Sequence, residues 1–358
     1  MDIVTSRMDQ IRTLVNEMIL NMDSPIRQQE ASVRLYGVSS YAAILALKRG
    51  LETEISAIAG LLHQFYYYKT GIAHYPGVNS ADTLRPLLRD LQTFSKEEQR
   101  CILRAVFYQD HLKQVHDPYG EIIKDAIILQ AYVQHINQPV PQAFAQRLVN
   151  TLTELSISVD HTEIDEITAT DSCTHSDFID KRQKLAKIAE ELAGQVIVGI
   201  PGDQRYREIC QYWPDPDIHK VLQGNWCAAF VYHCCMLSGI VLPIRYPNAD
   251  YRLAGVGALL EWSQLPETGF FHHDQDHNFI PERGDIVIYE KLLSDDSHDH
   301  VGIVLELHDD VILVAEGNKD NKNYSGIVRR NRNHCILGYI RIDNEYLYSF
   351  NGMYDPIL

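Results

Sequence analysis

The first half of the chain repeats one pattern: apolar residues three and four positions apart, with polar and charged residues between them. Ile11, Leu14 and Met18 follow it, as do Tyr41, Ile44 and Leu45, and then Ile55, Ile58, Leu61, Leu62 and Phe65. That spacing lays an apolar stripe along an α-helix. Breaks fall at Asp23-Ser24-Pro25, Tyr75-Pro76-Gly77, Asp117-Pro118-Tyr119-Gly120 and Pro139-Val140-Pro141, where proline and glycine punctuate helices. Ser95, three residues ahead of Glu98, reads as a capping box. Residues 1–155 are therefore expected to form an all-α domain.

The helical pattern fades over residues 156–180, which are acidic and β-branched with Ser and Thr interleaved, the composition of a solvated linker. It resumes as an amphipathic helix from Lys181. Cys227, Phe230, Val231 and Cys234 then occupy one helical face, and residues 253–265 form a second helical piece. Beyond them the period changes to two, over 286–289, 300–306, 311–316, 326–329 and 337–342. Short strands with no helix between them predict an antiparallel sheet. Helices followed by sheet make an α+β domain, expected over 181–345 with a tail at 346–358. The fold class is thus two-domain, all-α then α+β.

A length of 358 residues agrees with two cores. A makeup of 45% hydrophobic and 22% charged residues is that of a soluble globular protein. No apolar run approaches the roughly 20 residues that span a bilayer. Residues 1–22 alternate apolar and charged positions, unlike a secretory signal. The seven cysteines are odd in number and include the adjacent pair Cys234-Cys235, which suits free thiols in a reducing compartment. A cytoplasmic location is expected, with non-classical release left open. The formal net charge of −16 repels nucleic-acid phosphates and anionic lipids, so neither nucleic acid nor membrane is an expected partner. There is no Gly-rich phosphate loop and no paired Cys-x-x-Cys, so no cofactor and no metal are expected. His272, His273 and His277, among Asp274 and Asp276, read as a solvated loop.

The candidate chemistry centres on Cys227. Gly224 and Asn225 stand just ahead of the helix, which puts Cys227 in its first turn. Unpaired N–H groups and the helix dipole favour a thiolate there. Downstream, the strands at 300–306 and 311–316 form a hairpin. If it is symmetric about His308, paired residue numbers sum to 616, and His300 faces Glu316, with Asn318 on the same face. A nucleophile, a base and a group that orients the base form a triad. Cys234, Cys235 and Cys101 read as core cysteines.

The segments Asn225-Trp226-Cys227-Ala228-Ala229-Phe230-Val231, Gly284-Asp285-Ile286-Val287, His300-Val301-Gly302-Ile303-Val304, Glu316-Gly317-Asn318 and Gly338-Tyr339-Ile340 resemble the CHAP family of papain-like cysteine amidases and peptidases. The resemblance runs from about Lys181 to Asp343. It implies Cys227 as nucleophile, His300 as general base and then acid, and Glu316 as its orienter, with Asn318 as the alternative or supporting orienter. The Cys227 N–H and a donor from Gln223 or Asn225 would form the oxyanion site. It further implies hydrolysis of an amide through a thioester, on peptidoglycan peptides or a related peptide or small amide.

In the helical half, Arg34-Leu35-Tyr36-Gly37-Val38-Ser39, Gly60-Leu61-Leu62-His63-Gln64 and Lys124-Asp125-Ala126 resemble the HD superfamily of metal-dependent phosphohydrolases. The family's ligand positions carry over to Arg34, His63, Gln64 and Asp125. Arginine cannot ligate a cation, and the Gln64 amide replaces a carboxylate. The resemblance therefore implies a degenerate site, closed by an Arg34–Asp125 ion pair. Two alternatives to the amide hydrolase follow. One is a regulatory protein whose HD-like pocket senses an anionic ligand through Arg34, with Lys69, Arg104 or Lys124 nearby, and whose hydrolase domain is the output. The other is residual metal-dependent phosphohydrolase activity.

Overall fold

Helices in the first half start where the proline and capping signals stand. The structure, a computed structural model, describes residues 6–134, 142–157 and 180–358. In the first half the helices are Arg7–Leu20, Pro25–Arg49, Thr53–Leu62, Phe65–Thr70, Pro76–Leu91, Lys96–Phe107, Pro118–Gln134 and Gln142–Glu154. Ser24 caps the second of these, with proline in its first turn. The Ser95–Glu98 box forms with both of its hydrogen bonds, at 3.2 and 2.8 Å. Leu35, Val38, Ala42 and Leu45 are fully buried on one face of Pro25–Arg49. That helix packs against Thr53–Leu62 and Pro118–Gln134. The Pro139–Pro141 break and nearly all of the acidic linker lie outside the described residues.

The chain divides into two units: Met1–His175 together with Gly352–Leu358, and Ser176–Asn351. The final residues are thus part of the helical unit. The Tyr354 ring stacks on Phe107 with centroids 4.0 Å apart. The Tyr354 N–H donates to the Tyr108 hydroxyl at 2.7 Å, and its carbonyl accepts from Arg104 Nε at 2.9 Å. Arg85 donates to the Ile357 carbonyl at 3.0 Å. A buried aromatic ring, not a periodic pattern, holds this segment, so helical spacing could not disclose it.

The second unit opens with helix Lys181–Gly194, followed by Gln204–Cys210, Ile218–Val221, Cys227–Ser238 and Val256–Ser263. Gln204–Cys210 and Ile218–Val221 are too short to show a helical period. The strands are β1 Phe271–His273, β2 Ile286–Tyr289, β3 His300–His308, β4 Val311–Glu316, β5 Gly326–Asn331 and β6 Ile336–Ile340. They form one sheet in the order β1-β6-β2-β3-β4-β5, with every pair antiparallel. Strand β1 was not expected: His272 and His273 belong to an edge strand, and His272 stacks on Phe279 at 4.0 Å. Lys181–Gly194 and Cys227–Ser238 pack on β3 and β4.

The expected hairpin register needs correction. Ile303 pairs with Ala315 and Val304 with Val314, a sum of 618, and an irregularity follows before Glu306 pairs with Leu313. The turn is tighter than expected, since His308 already pairs with Val311. Ahead of the irregularity the shift is two, which leaves His300 and Glu316 on one face; beyond it the pairs sum to 619, an odd shift from the expected register.

Tyr354→Ala should cost the full-length protein about 3 kcal/mol, the usual cost of deleting a buried aromatic ring. Tyr354→Phe, which keeps the stack, should cost much less. Urea denaturation of the two variants checks this, and equal losses would contradict it.

Candidate active site

Cys227 is the first residue of its helix, and the Trp226 side chain ahead of it makes no cap. The preceding loop is held from below instead. Asn318 Nδ2 donates to the Gly224 carbonyl at 2.6 Å, and Asn323 Oδ1 accepts from the Gly224 N–H and from Trp226 Nε1, both at 3.1 Å. Gly317 permits the close approach of sheet and helix. A Cβ there would stand 2.4 Å from Phe230 Cβ and 2.9 Å from the Trp226 ring. Cys227, 5% exposed, lines a cleft of about 650 Å³. Asn225 and Trp213 line the cleft near it, and Tyr251, Val256 and His298 line its walls.

His300 opens β3 and Glu316 closes β4, and both are fully buried. His300 Nε2 stands 3.0 Å from Glu316 Oε2. The oxygen lies off the ring N–H direction, so this is a close ion pair and not an aligned hydrogen bond. The ring rests on Tyr289, its partner across β2, with centroids 6.1 Å apart. Burial by itself favours a neutral imidazole, but the adjacent Cys227 and Glu316, whose negative charge favours the protonated ring, outweigh it. Together they raise the His300 pKa from 6.5 to about 10. The site is therefore poised to carry an imidazolium at neutral pH.

Arg330 on β5 was not identified from the sequence. Its Nε and Nη2 grip Glu316 Oε1 and Oε2 at 2.9 and 2.6 Å, the bidentate geometry arginine makes with carboxylates. Nη2 also lies 2.9 Å from Asp320 Oδ1. A detectable signal did exist. Arg330 shares a face with Val328 and sits opposite Ile312, and an arginine on an apolar face needs a carboxylate. Asn323 was also missed, hidden in a run of Asn, Asp and Lys that reads only as turn chemistry.

The other expected site residues fall into different places. The Asn318 amide is committed to Gly224, Asn321 and the Asn323 N–H, so it shapes the nucleophile loop and makes no hydrogen bond to His300. Asn225 lines the cleft beside Cys227, whereas Gln223 is exposed and does not line it. Asp285, fully buried, is an anchor for Arg341 at 2.7 Å and for Arg182 at 3.4 Å.

In the helical unit, the Arg34–Asp125 ion pair does not form. Asp125 pairs with Arg49 and Arg147, each at 2.7 Å. Arg34 and Arg49 share one helix and are separated by about 22 Å of helical rise, so Asp125 meets the far end of the helix. His63 is fully buried. Burial, and then the charge of Arg34, push its pKa down to about 3, leaving a neutral ring. Gln64 is half-buried at the turn before Phe65–Thr70. The four positions do not form a single metal site. The basic residues named beside Arg34 are also dispersed: Arg104 binds the Tyr354 carbonyl, and Lys124 pairs with Glu121 at 2.8 Å.

Comparison with protein families matches the CHAP domain to residues 219–318. The matched stretch holds Cys227, His300, Glu316 and Asn318 and ends short of Arg330. That domain is one of peptidoglycan amidases and peptidases and suggests a hydrolase. No family match supports the HD-like reading of the helical half. Neither the curated proteins nor the solved structures give a match. Among the described residues, no helix is long and apolar enough to cross a membrane.

Gly317→Ala should push the helix away from the sheet and slow Cys227 alkylation. It should also cost about 1–3 kcal/mol through overpacking. Alkylation kinetics and urea denaturation check this, and wild-type behaviour in both would contradict the close approach.

Proposed function

We propose that residues 181–345 form a thiol-dependent amide hydrolase in which Cys227 is the nucleophile, His300 the acid and base, and Glu316 the residue that orients His300. The observation that carries this is the buried juxtaposition of His300 with Glu316 at 3.0 Å, with Cys227, at its helix start, the other group that acts on His300. The Cys227 thiolate attacks the amide carbonyl carbon, and the carbonyl electron pair moves onto oxygen. The Cys227 N–H, with a donor from Asn225, faces that oxyanion. The tetrahedral species collapses as His300 gives its proton to the leaving nitrogen, so the C–N bond breaks and a thioester remains. Neutral His300 then takes a proton from water, and the hydroxide adds to the thioester. The C–S bond breaks, releasing the acid and restoring thiolate and imidazolium. Peptidoglycan peptides are the first substrates to try, because the matched domain belongs to enzymes that act on them.

The helical unit takes a second role in this account, as a site for a small anion with the hydrolase as its output. The observation favouring it is that Arg34 Nε, His63 Nε2 and Tyr68 Oη are buried without a protein hydrogen-bond partner. Calorimetry of the full chain with inorganic phosphate and a nucleotide panel tests it. Heat that vanishes in Arg34→Met is expected, and no heat from a folded protein ends the idea.

Iodoacetamide should label Cys227 faster than the other cysteines below pH 7. His300→Ala should slow that labelling about tenfold or more, because the imidazolium no longer holds the thiolate. Hydrolysis of peptidoglycan fragments should fall as pH rises through about 10, where His300 loses the proton it must donate. Alkylation needs only the thiolate and should not fall with it. Labelling of Cys227 no faster than that of Cys101 would contradict the assignment.

A further inference from the structure

The buried centre has a charge balance that Cys227, His300 and Glu316 cannot keep by themselves. A thiolate and an imidazolium cancel. An ionised Glu316, fully buried, then leaves one negative charge away from water, and such a charge takes up a proton unless it is paired. Arg330 supplies the missing positive charge through its two-pronged grip on Glu316, and its own side chain is only 12% exposed. Asp320, the second acid on Arg330, is 26% exposed, so water screens part of its charge. The guanidinium also lies over the Tyr289 ring, 5.8 Å from its centroid, on the wall against which His300 rests. Tyr289 is the other titratable group there. Burial drives its ionisation far above its usual range, so it remains a neutral phenol.

We propose that Arg330 is a positioning residue of the catalytic centre, holding Glu316 ionised and in one orientation so that the Cys227–His300 ion pair persists into acidic pH. This rests on the thiol-hydrolase assignment. Arg330 does not line the cleft, and its partners are Glu316, Asp320 and the Tyr289 ring, so it acts through Glu316 and the Tyr289 wall. Without it the cluster carries a net charge of −1 and gains a proton at a higher pH. Whether Glu316 or Cys227 takes that proton, the pair is disrupted.

The test is the rate of Cys227 alkylation by iodoacetamide from pH 4 to 9, mapped by mass spectrometry on the full chain. Wild type is compared with Arg330→Met, Arg330→Lys, Arg330→Ala with and without guanidinium, and the double variant Arg330→Met/Glu316→Gln. The acid limb should move up by about one to three pH units in Arg330→Met, the range expected when a close opposite charge is lost. Arg330→Lys should recover part of the shift, since a point charge lacks the fork. Guanidinium should recover part of it in Arg330→Ala. The double variant removes one charge of each sign and should return the limb toward wild type, a coupling that a merely structural arginine would not show. If Arg330→Met does not fold, Arg330→Lys and the guanidinium rescue still decide the matter. A wild-type limb in folded Arg330→Met overturns the proposal, and so does a shift that neither guanidinium nor the second substitution changes. If wild-type Cys227 itself shows no acid-shifted reactivity, all variants will be alike and slow. That outcome overturns the underlying hydrolase assignment together with the role of Arg330.

Discussion

The carboxylate of Glu316 is the point on which the second unit turns. It ends a strand between Ala315 and Gly317, opposite Gly326 and close to Gly302, and it is fully buried. A charge in that place persists only if cations are brought to it. The fold brings two, His300 from the adjacent strand at 3.0 Å and Arg330 from the strand on the other side at 2.6 Å. The sheet order β2-β3-β4-β5 is what makes this geometry available. With the carboxylate fixed, the imidazole is aimed. In the proposed mechanism, an aimed imidazole gives the cysteine at the helix start its base. The asparagines after Glu316 complete the arrangement by tying the loop ahead of Cys227 to the same end of the sheet.

Much of this site was legible in the sequence, for physical reasons that also explain what was not. Cys227 stood out because a cysteine opening an apolar helical run after Gly and Asn has a distinct local environment. His300 and Glu316 share a face despite a register error of two, because strand side chains alternate with period two. An error of one would have separated them. Arg330 stayed hidden because the long connection between Glu316 and Gly326 does not fix the β4–β5 register, and an arginine's reach depends on register. Asn318, expected as an alternative or supporting orienter of His300, has its amide spent on the loop ahead of Cys227, a partition that spacing cannot predict.

The helical unit shows the opposite balance. Its helices and caps were readable to within a few residues because each is set by local chemistry, as at Ser24-Pro25 and Ser95–Glu98. The relation among Arg34, His63, Gln64 and Asp125 was not readable. Order along the chain does not reveal that Asp125 meets the C-terminal end of the long helix that carries Arg34, or that Arg49 and Arg147 have claimed the acid. The stacked Tyr354 makes the same point at the chain's end. A single ring in the right slot recruits a segment that carries no pattern at all.

Nitrogen-15 chemical shifts of the His300 imidazole, followed from pH 5 to 9, test the central claim most directly. A ring protonated on both nitrogens at pH 8 is expected in wild type, and an ordinary titration once Cys227→Ala and Glu316→Gln remove both of its partners. A wild-type ring that is neutral at pH 7.5 would mean that the buried carboxylate does not hold an imidazolium beside Cys227, and the proposed catalytic centre would be wrong.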